Sequence, residues 1–170
     1  MSDPRLDDIL RRLTALEDRA AIAQLIAGYG PSVDSGSAEE TAALWTADGT
    51  YSFSIRPGDD RTETLEGADG IRAMVEGEGH QGIIRGGAAH FLGPPHIVVE
   101  GDRATAVTYS LLIVRDDEGD RFVVARAGAN DWQLVRTAAG WRVERRRQRL
   151  LDGTEAARAI LREAAGRPGV

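Results

Sequence analysis

The sequence predicts an α+β fold in which helices cover one face of a curled antiparallel sheet. Two observations predict it. Apolar residues recur at helical spacing from Leu6 to Tyr29, and from His90 to Leu151 four runs rich in Val, Ile, Leu and Thr are separated by the short links EGDR, DDEGD and TAAG. Links this short leave consecutive strands only an antiparallel arrangement. A long, twisted sheet curls, and helices over its concave side leave a pocket at the open end, a geometry suited to a small molecule.

Asp3 before Pro4 makes an N-cap and first-turn pair, after which Leu6, Ile9, Leu10, Leu13 and Leu16 share a helical face. Ile22, Leu25, Ile26 and Tyr29 carry the pattern past a weak point at Glu17-Asp18, until Gly28, Gly30 and Pro31 are expected to end it. Ser37 and Glu40 form a capping box ahead of a short helix through Ala42, Ala43, Leu44 and Trp45, with Gly49 placed for a left-handed C-terminal residue. Tyr51, Phe53 and Ile55 alternate with Ser52, Ser54 and Arg56, which predicts a half-buried strand ending at the Pro57-Gly58-Asp59-Asp60 turn. A helix is expected over Ala68 to Glu76, where Ile71, Met74 and Val75 share a face, and GEGHQGIIRGG behind it reads as a mobile loop. After the four strands, a last helix spans about Thr154 to Ala165 and carries Ile160 and Leu161. No repeat or linker divides the chain, so residues 1–170 are expected to form one domain.

Composition removes several functions. With 42% hydrophobic residues in 170, a sizeable core is within reach. A formal charge of -6 opposes binding to nucleic acid or an anionic membrane, because both recruit positive charge. The arginines of RRRQR at 145–149 would divide between the two faces of a strand. The chain has no cysteine, which excludes thiol catalysis, disulfides and zinc–thiolate sites. The start MSDPRLDDILRR has no signal-peptide pattern and no run approaches about 20 apolar residues, so the expected location is the cytoplasm. The glycines at 77, 79, 82, 86 and 87 lead into no phosphate-loop lysine, and no GxSxG nucleophile motif occurs.

The stretches RAAIAQLIAGYGPSVDSGSAEETAALWTADGTYSF, LEGADGIRAMV, AAHF, VVEGDRATAV and GWRVERR, in this order over about residues 6–151, resemble the SnoaL-like branch of the nuclear transport factor 2-like superfamily. The resemblance implies a cone: a curved antiparallel sheet around a deep pocket closed by helices. Members include polyketide cyclases, scytalone-dehydratase-like enzymes, a dehydrochlorinase, bile-acid dehydratases and proteins without established activity, so the fold alone names no reaction. In the dehydratase-like members an aspartate after the first long helix pairs with a sheet histidine, and the pair acts as the base. Asp34 in PSVDSG matches the aspartate by its distance from RAAI, and His90 in AAHF matches the histidine by its place ahead of VVEGDRA. Tyr29 resembles a pocket tyrosine near that aspartate. The last strand of such proteins often carries an arginine that holds substrate or developing charge. Arg145 and Arg147 share parity with Trp141 and Val143, so one of them is expected to face inward. Trp45, Tyr51 and Phe53 are the expected wall around the substrate.

These residue types suit one chemistry. An imidazole changes charge near neutral pH, and a carboxylate on its other nitrogen fixes the tautomer and stabilises the imidazolium that forms. A tyrosine hydroxyl or an arginine can donate to a carbonyl or leaving oxygen as charge develops there. The implied reaction is proton abstraction beside a carbonyl, followed by loss of water, double-bond migration or ring closure, on a hydrophobic cyclic or polyketide-like molecule and without a cofactor. The residues by themselves leave other readings open. Asp34 suits a turn beside Ser35-Gly36, His90 and Tyr29 suit the core, the aromatic wall suits pocket or core, and the chain suits a non-catalytic binding or dimerisation module. His80 falls in the glycine-rich loop, with a place at the pocket mouth as part of a lid as the other option, and His96 follows Pro94-Pro95, which opposes a shared metal site with His90, so no metal is expected. The expected partner is a second copy, as a homodimer with a trimer as the other option: relatives associate through the outer sheet face, and the Val98-Val99, Leu111-Leu112-Ile113 and Val123-Val124 runs are apolar on both strand parities.

Overall fold

The computed structural model describes residues 3–59, 61–116 and 120–166. Asp60, the last residue of the expected turn, and positions 117–119 of the DDEGD link lie outside the described residues. The first helix, α1 (Pro4–Asp34), starts as its sequence demands: the Asp3 carboxylate accepts the Arg5 backbone N–H at 3.0 Å. It does not break at Glu17-Asp18. Asp18 turns inward there and accepts both Nη1 and Nη2 of Arg136 at 2.7 Å, together with the Trp141 indole N–H at 3.1 Å. Nor does Pro31 end it. A proline inside a helix removes one N–H, but burial of Tyr29 and Val33 on either side carries the helix another turn to Asp34, with Gly36 at φ 71° reversing the chain behind it.

The capping box does not form either. Ser37 sits at the N-cap of α2 (Ala38–Ala42), but its hydroxyl lies 2.8 Å from the Ser35 hydroxyl and makes no side-chain cap bond. The chain then enters β1 (Trp45–Ser54) before the expected helix stop, and Gly49 lies inside this strand. Its role is close approach: a Cβ there would stand 2.7 Å from the Val143 carbonyl oxygen. Next come β2 (Thr62–Glu66), α3 (Gly67–Glu76) and α4 (Glu78–Gly86), so the expected loop at 77–87 is largely helix. The strands β3 (Ala88–Leu92), β4 (His96–Glu100), β5 (Arg103–Arg115), β6 (Phe122–Thr137) and β7 (Gly140–Leu150) follow, then α5 (Glu155–Ala165).

The sheet runs β2-β1-β7-β6-β5-β3, with β4 also on β5. The first of the four expected runs is therefore two strands. β3 pairs with Ser110–Val114 and β4 with Arg103–Val107 of β5, and the Gly93–Pro95 step separates them. The pairs β5–β6 and β6–β7 are antiparallel as their short links require, whereas β1 lies parallel to β7. Ile22, Ile26 and Val33 of α1, Ile71 and Val75 of α3, and Trp132, Leu134 and Val143 of the sheet form the core on the inner face. On the outer face α5 covers Val107 and Ala129 with Ala157 and Ile160. Among the described residues no helix is long and apolar enough to cross a membrane.

Candidate active site

A cavity of about 380 Å³ lies between the inner sheet face, the end of α1 and α4. Two backbones meet at its edge. Gly30 of α1 approaches β3 so closely that a Cβ would stand 2.3 Å from the His90 carbonyl oxygen. One turn on, and only because the helix runs through Pro31, Asp34 reaches the same residue: Oδ2 accepts the His90 backbone N–H at 2.7 Å, and Oδ1 lies 2.6 Å from His90 Nδ1. A carboxylate only accepts, so Nδ1 carries the proton and Nε2 is the nitrogen left to the cavity that His90 lines. The two side chains are 22% and 23% exposed, so the pair sits at the cavity wall with access to it.

Tyr29 is buried beside this pair, its ring edge-on to His90 at 6.5 Å and to Trp132 at 6.2 Å. Tyr51 and Phe53 line the cavity with ring centroids 5.1 Å apart. Trp45 does not line it. Its indole packs behind Tyr29 and Tyr51, at 5.9 and 6.2 Å, so this expected substrate contact is core.

The inward arginine is neither Arg145 nor Arg147. Leu134 pairs with Val143 but Gln133 pairs with Arg145, so Glu144 is an extra residue in β7 and the strand changes parity across it. Trp141 and Val143 face inward before this bulge; Arg146 and Gln148 do so after it. Arg145 is exposed, and Arg147 turns to the outer side, where it donates to Asp131 at 3.0 Å and reaches Glu163 of α5. Arg146 is 2% exposed, with its guanidinium carbon 4.2, 4.4 and 4.2 Å from the ring centres of Tyr29, Tyr51 and Trp132. Its Nε and Nη2 donate to Asn130 Oδ1 at 3.0 and 2.8 Å, while Nη1 is buried without a hydrogen-bond partner. Among the described residues no carboxylate pairs with it, although Glu63 and Arg126 also line the cavity. Burial pushes the Tyr51 phenol well above its ordinary pKa, against the opposing pull of Arg146, which keeps it a proton donor.

His80 departs furthest from expectation. It is buried in α4, lines the cavity, donates Nε2–H to the Val33 carbonyl at 2.8 Å, and places its ring 5.5 Å from that of His90. The spacing of His80, Ile83 and Ile84 carried a helical signal that the surrounding glycines masked. His96 opens β4 opposite Val107, away from the cavity. Gln148, which accepts the Ser54 backbone N–H at 3.2 Å, is a further cavity residue beyond those anticipated.

A helix-capped curved sheet enclosing a cavity of ligand size defines a nuclear transport factor 2-like fold. The chain belongs to the SnoaL-like domain family, whose model matches residues 14–147. A nuclear transport factor 2-like protein of cystatin-like fold from Novosphingobium aromaticivorans is 43% identical, with a TM-score of 0.85 over 95% of this chain and 98% of that one. A protein from Catenulispora acidiphila, solved with S-DNPA, is 26% identical, with a TM-score of 0.62 over 84% and 98% of the respective chains. A proposed scytalone dehydratase from N. aromaticivorans is similar in fold, at 23% identity and a TM-score of 0.64 over 81% and 86%. No curated protein matches the chain.

Proposed function

We propose that this protein is a cofactor-independent lyase or isomerase, of dehydratase or cyclase type, acting on a hydrophobic cyclic or polyketide-like small molecule. The 2.6 Å contact between Asp34 Oδ1 and His90 Nδ1 carries the proposal, because it leaves Nε2 as a base at the wall of an otherwise largely apolar cavity. His90 Nε2 takes a proton from carbon beside a carbonyl, and Asp34 stabilises the imidazolium that results. The electron pair moves to the carbonyl oxygen as an enolate, whose charge is offset by the field of Arg146 and by donation from the buried phenols. Departure of a β-hydroxyl, protonated by the imidazolium, releases water and forms a double bond; return of the proton to a different carbon isomerises instead. The cavity volume of about 380 Å³ falls near the lower end of the roughly 300–1,000 Å³ usual for ligand sites. We further propose a homodimer, paired through the outer face of β5 and β6, where Tyr109 and Val124 are 56% and 57% exposed.

The test is α-hydrogen exchange of 2-tetralone in deuterated buffer, followed by proton NMR. The wild-type protein is expected to accelerate exchange, His90→Gln to abolish roughly 10²–10⁴-fold of that acceleration, and Asp34→Asn to remove about tenfold or more. If saturation-transfer NMR shows the ketone bound while exchange stays at the buffer rate, the non-catalytic binding module replaces this reading.

A further inference from the structure

The helix α4 is a loosely built wall of the cavity, and its own residues make it so. Gly79, Gly82 and Gly86 are three of its nine residues, and a Cβ at any of them would meet nothing within 4 Å. None of the three has a positive φ. Neither packing nor backbone angle demands glycine there. Each glycine in a helix interior lowers the helical population by about fivefold relative to alanine, so these positions loosen α4 without serving any contact. Gly77 and Gly87 bracket the helix, the latter at φ 91°. Only His80 of α4 is buried; its bond to the Val33 carbonyl, the 2.7 Å bond from Gln81 Nε2 to the Val75 carbonyl and the 3.3 Å bond from the exposed Arg115 Nε to the Gly86 carbonyl tie the helix to α1, α3 and β5. Gly77, Gly79, His80 and Ile83 all line the cavity, so lifting α4 uncovers it beside His90.

We propose that α4 is a gate, which unwinds between Gly77 and Gly87, passing from a closed state latched by His80 on Val33 to an open state that admits and releases the ligand. This rests on the cavity taking a small molecule and holds whether or not that molecule is turned over. Local opening of a weakly tethered element needs far less free energy than global unfolding, and lids of this kind set exchange rates in many binding sites.

Hydrogen exchange of the unliganded protein tests the opening, and stopped-flow binding of 1-anilinonaphthalene-8-sulfonate tests its role. The α4 amides are expected to exchange at least tenfold faster than those of β5 and β6. Gly82→Ala with Gly86→Ala, both outside the cavity lining, is expected to slow α4 exchange about tenfold and to leave β5 and β6 unchanged. Because a gate acts on both directions, association and dissociation of the probe fall by similar factors and Kd stays constant. His80→Phe, which keeps the ring size and loses the donor, speeds α4 exchange. Gly28→Ala, at an equally uncrowded site in α1, leaves α4 unaffected. Unaltered α4 exchange in the double variant overturns the gate, as does slower exchange with unaltered probe kinetics. A probe that fails to bind at all overturns the ligand-site reading instead, and the exchange data separate the two failures.

Discussion

Arg146 brings a full charge into the interior with only Asn130 and three aromatic rings to receive it. A buried charge without a counter-ion is held at a cost to stability, and replacing such a group by an apolar side chain of similar length is often neutral or stabilising. Arg146→Met is therefore expected to melt at or above the wild-type temperature while losing about tenfold or more of the 2-tetralone exchange rate. Calorimetry together with the exchange assay checks both; a strongly destabilised variant would make Arg146 structural. Asp34 and His90 were legible only through the family resemblance, which matches each by its distance from a neighbouring motif. Arg146 was not, since alternation from Trp141 and Val143 runs on smoothly to Arg145 and Arg147. The bulge at Glu144 that reverses it exists only through pairing with β6.

At the scale of elements, the meeting of α1 with β3 decides whether the histidine finds its carboxylate. A methyl at Gly30 would press on the His90 backbone oxygen, and neither backbone can yield alone. Gly30→Ala is expected to cost about 1–3 kcal/mol of stability and to remove the low-field Nδ1–H proton signal of His90, whereas Gly28→Ala leaves that signal in place. A retained signal in the Gly30 variant would show that the dyad does not depend on this approach. Helical spacing revealed α1 and α3 directly. The end of α1 was read too early because Pro31 deletes one hydrogen bond, and the burial that outweighs this loss is a property of the assembled core. In α4 the same glycines that weaken the helix concealed it.

The whole molecule is held at its other end by Asp18, which joins the middle of α1 to β6 and β7 through Arg136 and Trp141. The Arg136 hydrogen bonds hold its carboxyl below the usual carboxylate range, despite the opposing effect of burial. The folded pKa is thus lower than the unfolded one, so this stabilisation is present above about pH 4 and lost as pH falls through the folded value. The urea midpoint should fall more steeply between about pH 5 and pH 3 in the wild type than in Asp18→Asn; parallel curves would mean that Asp18 contributes nothing to the acid limb. For assembly, sedimentation should find a dimer that Tyr109→Glu with Val124→Glu splits, and a monomeric wild type at about 50 µM would sink the outer-face pairing. The α+β class was legible from periodicity and link length, yet the parallel contact of β1 with β7 was not, because no local pattern records which distant strands become neighbours. That contact has a consequence for how the protein is made. Trp45–Phe53 must await Val143–Gln148, and β2 in turn hangs on β1. A chain emerging from the ribosome can form α1 early, but Tyr51 and Arg146 come together only after β7 has emerged as well. Such long-range pairing slows folding, and loss of β7 would leave β1 and β2 detached from the rest of the sheet.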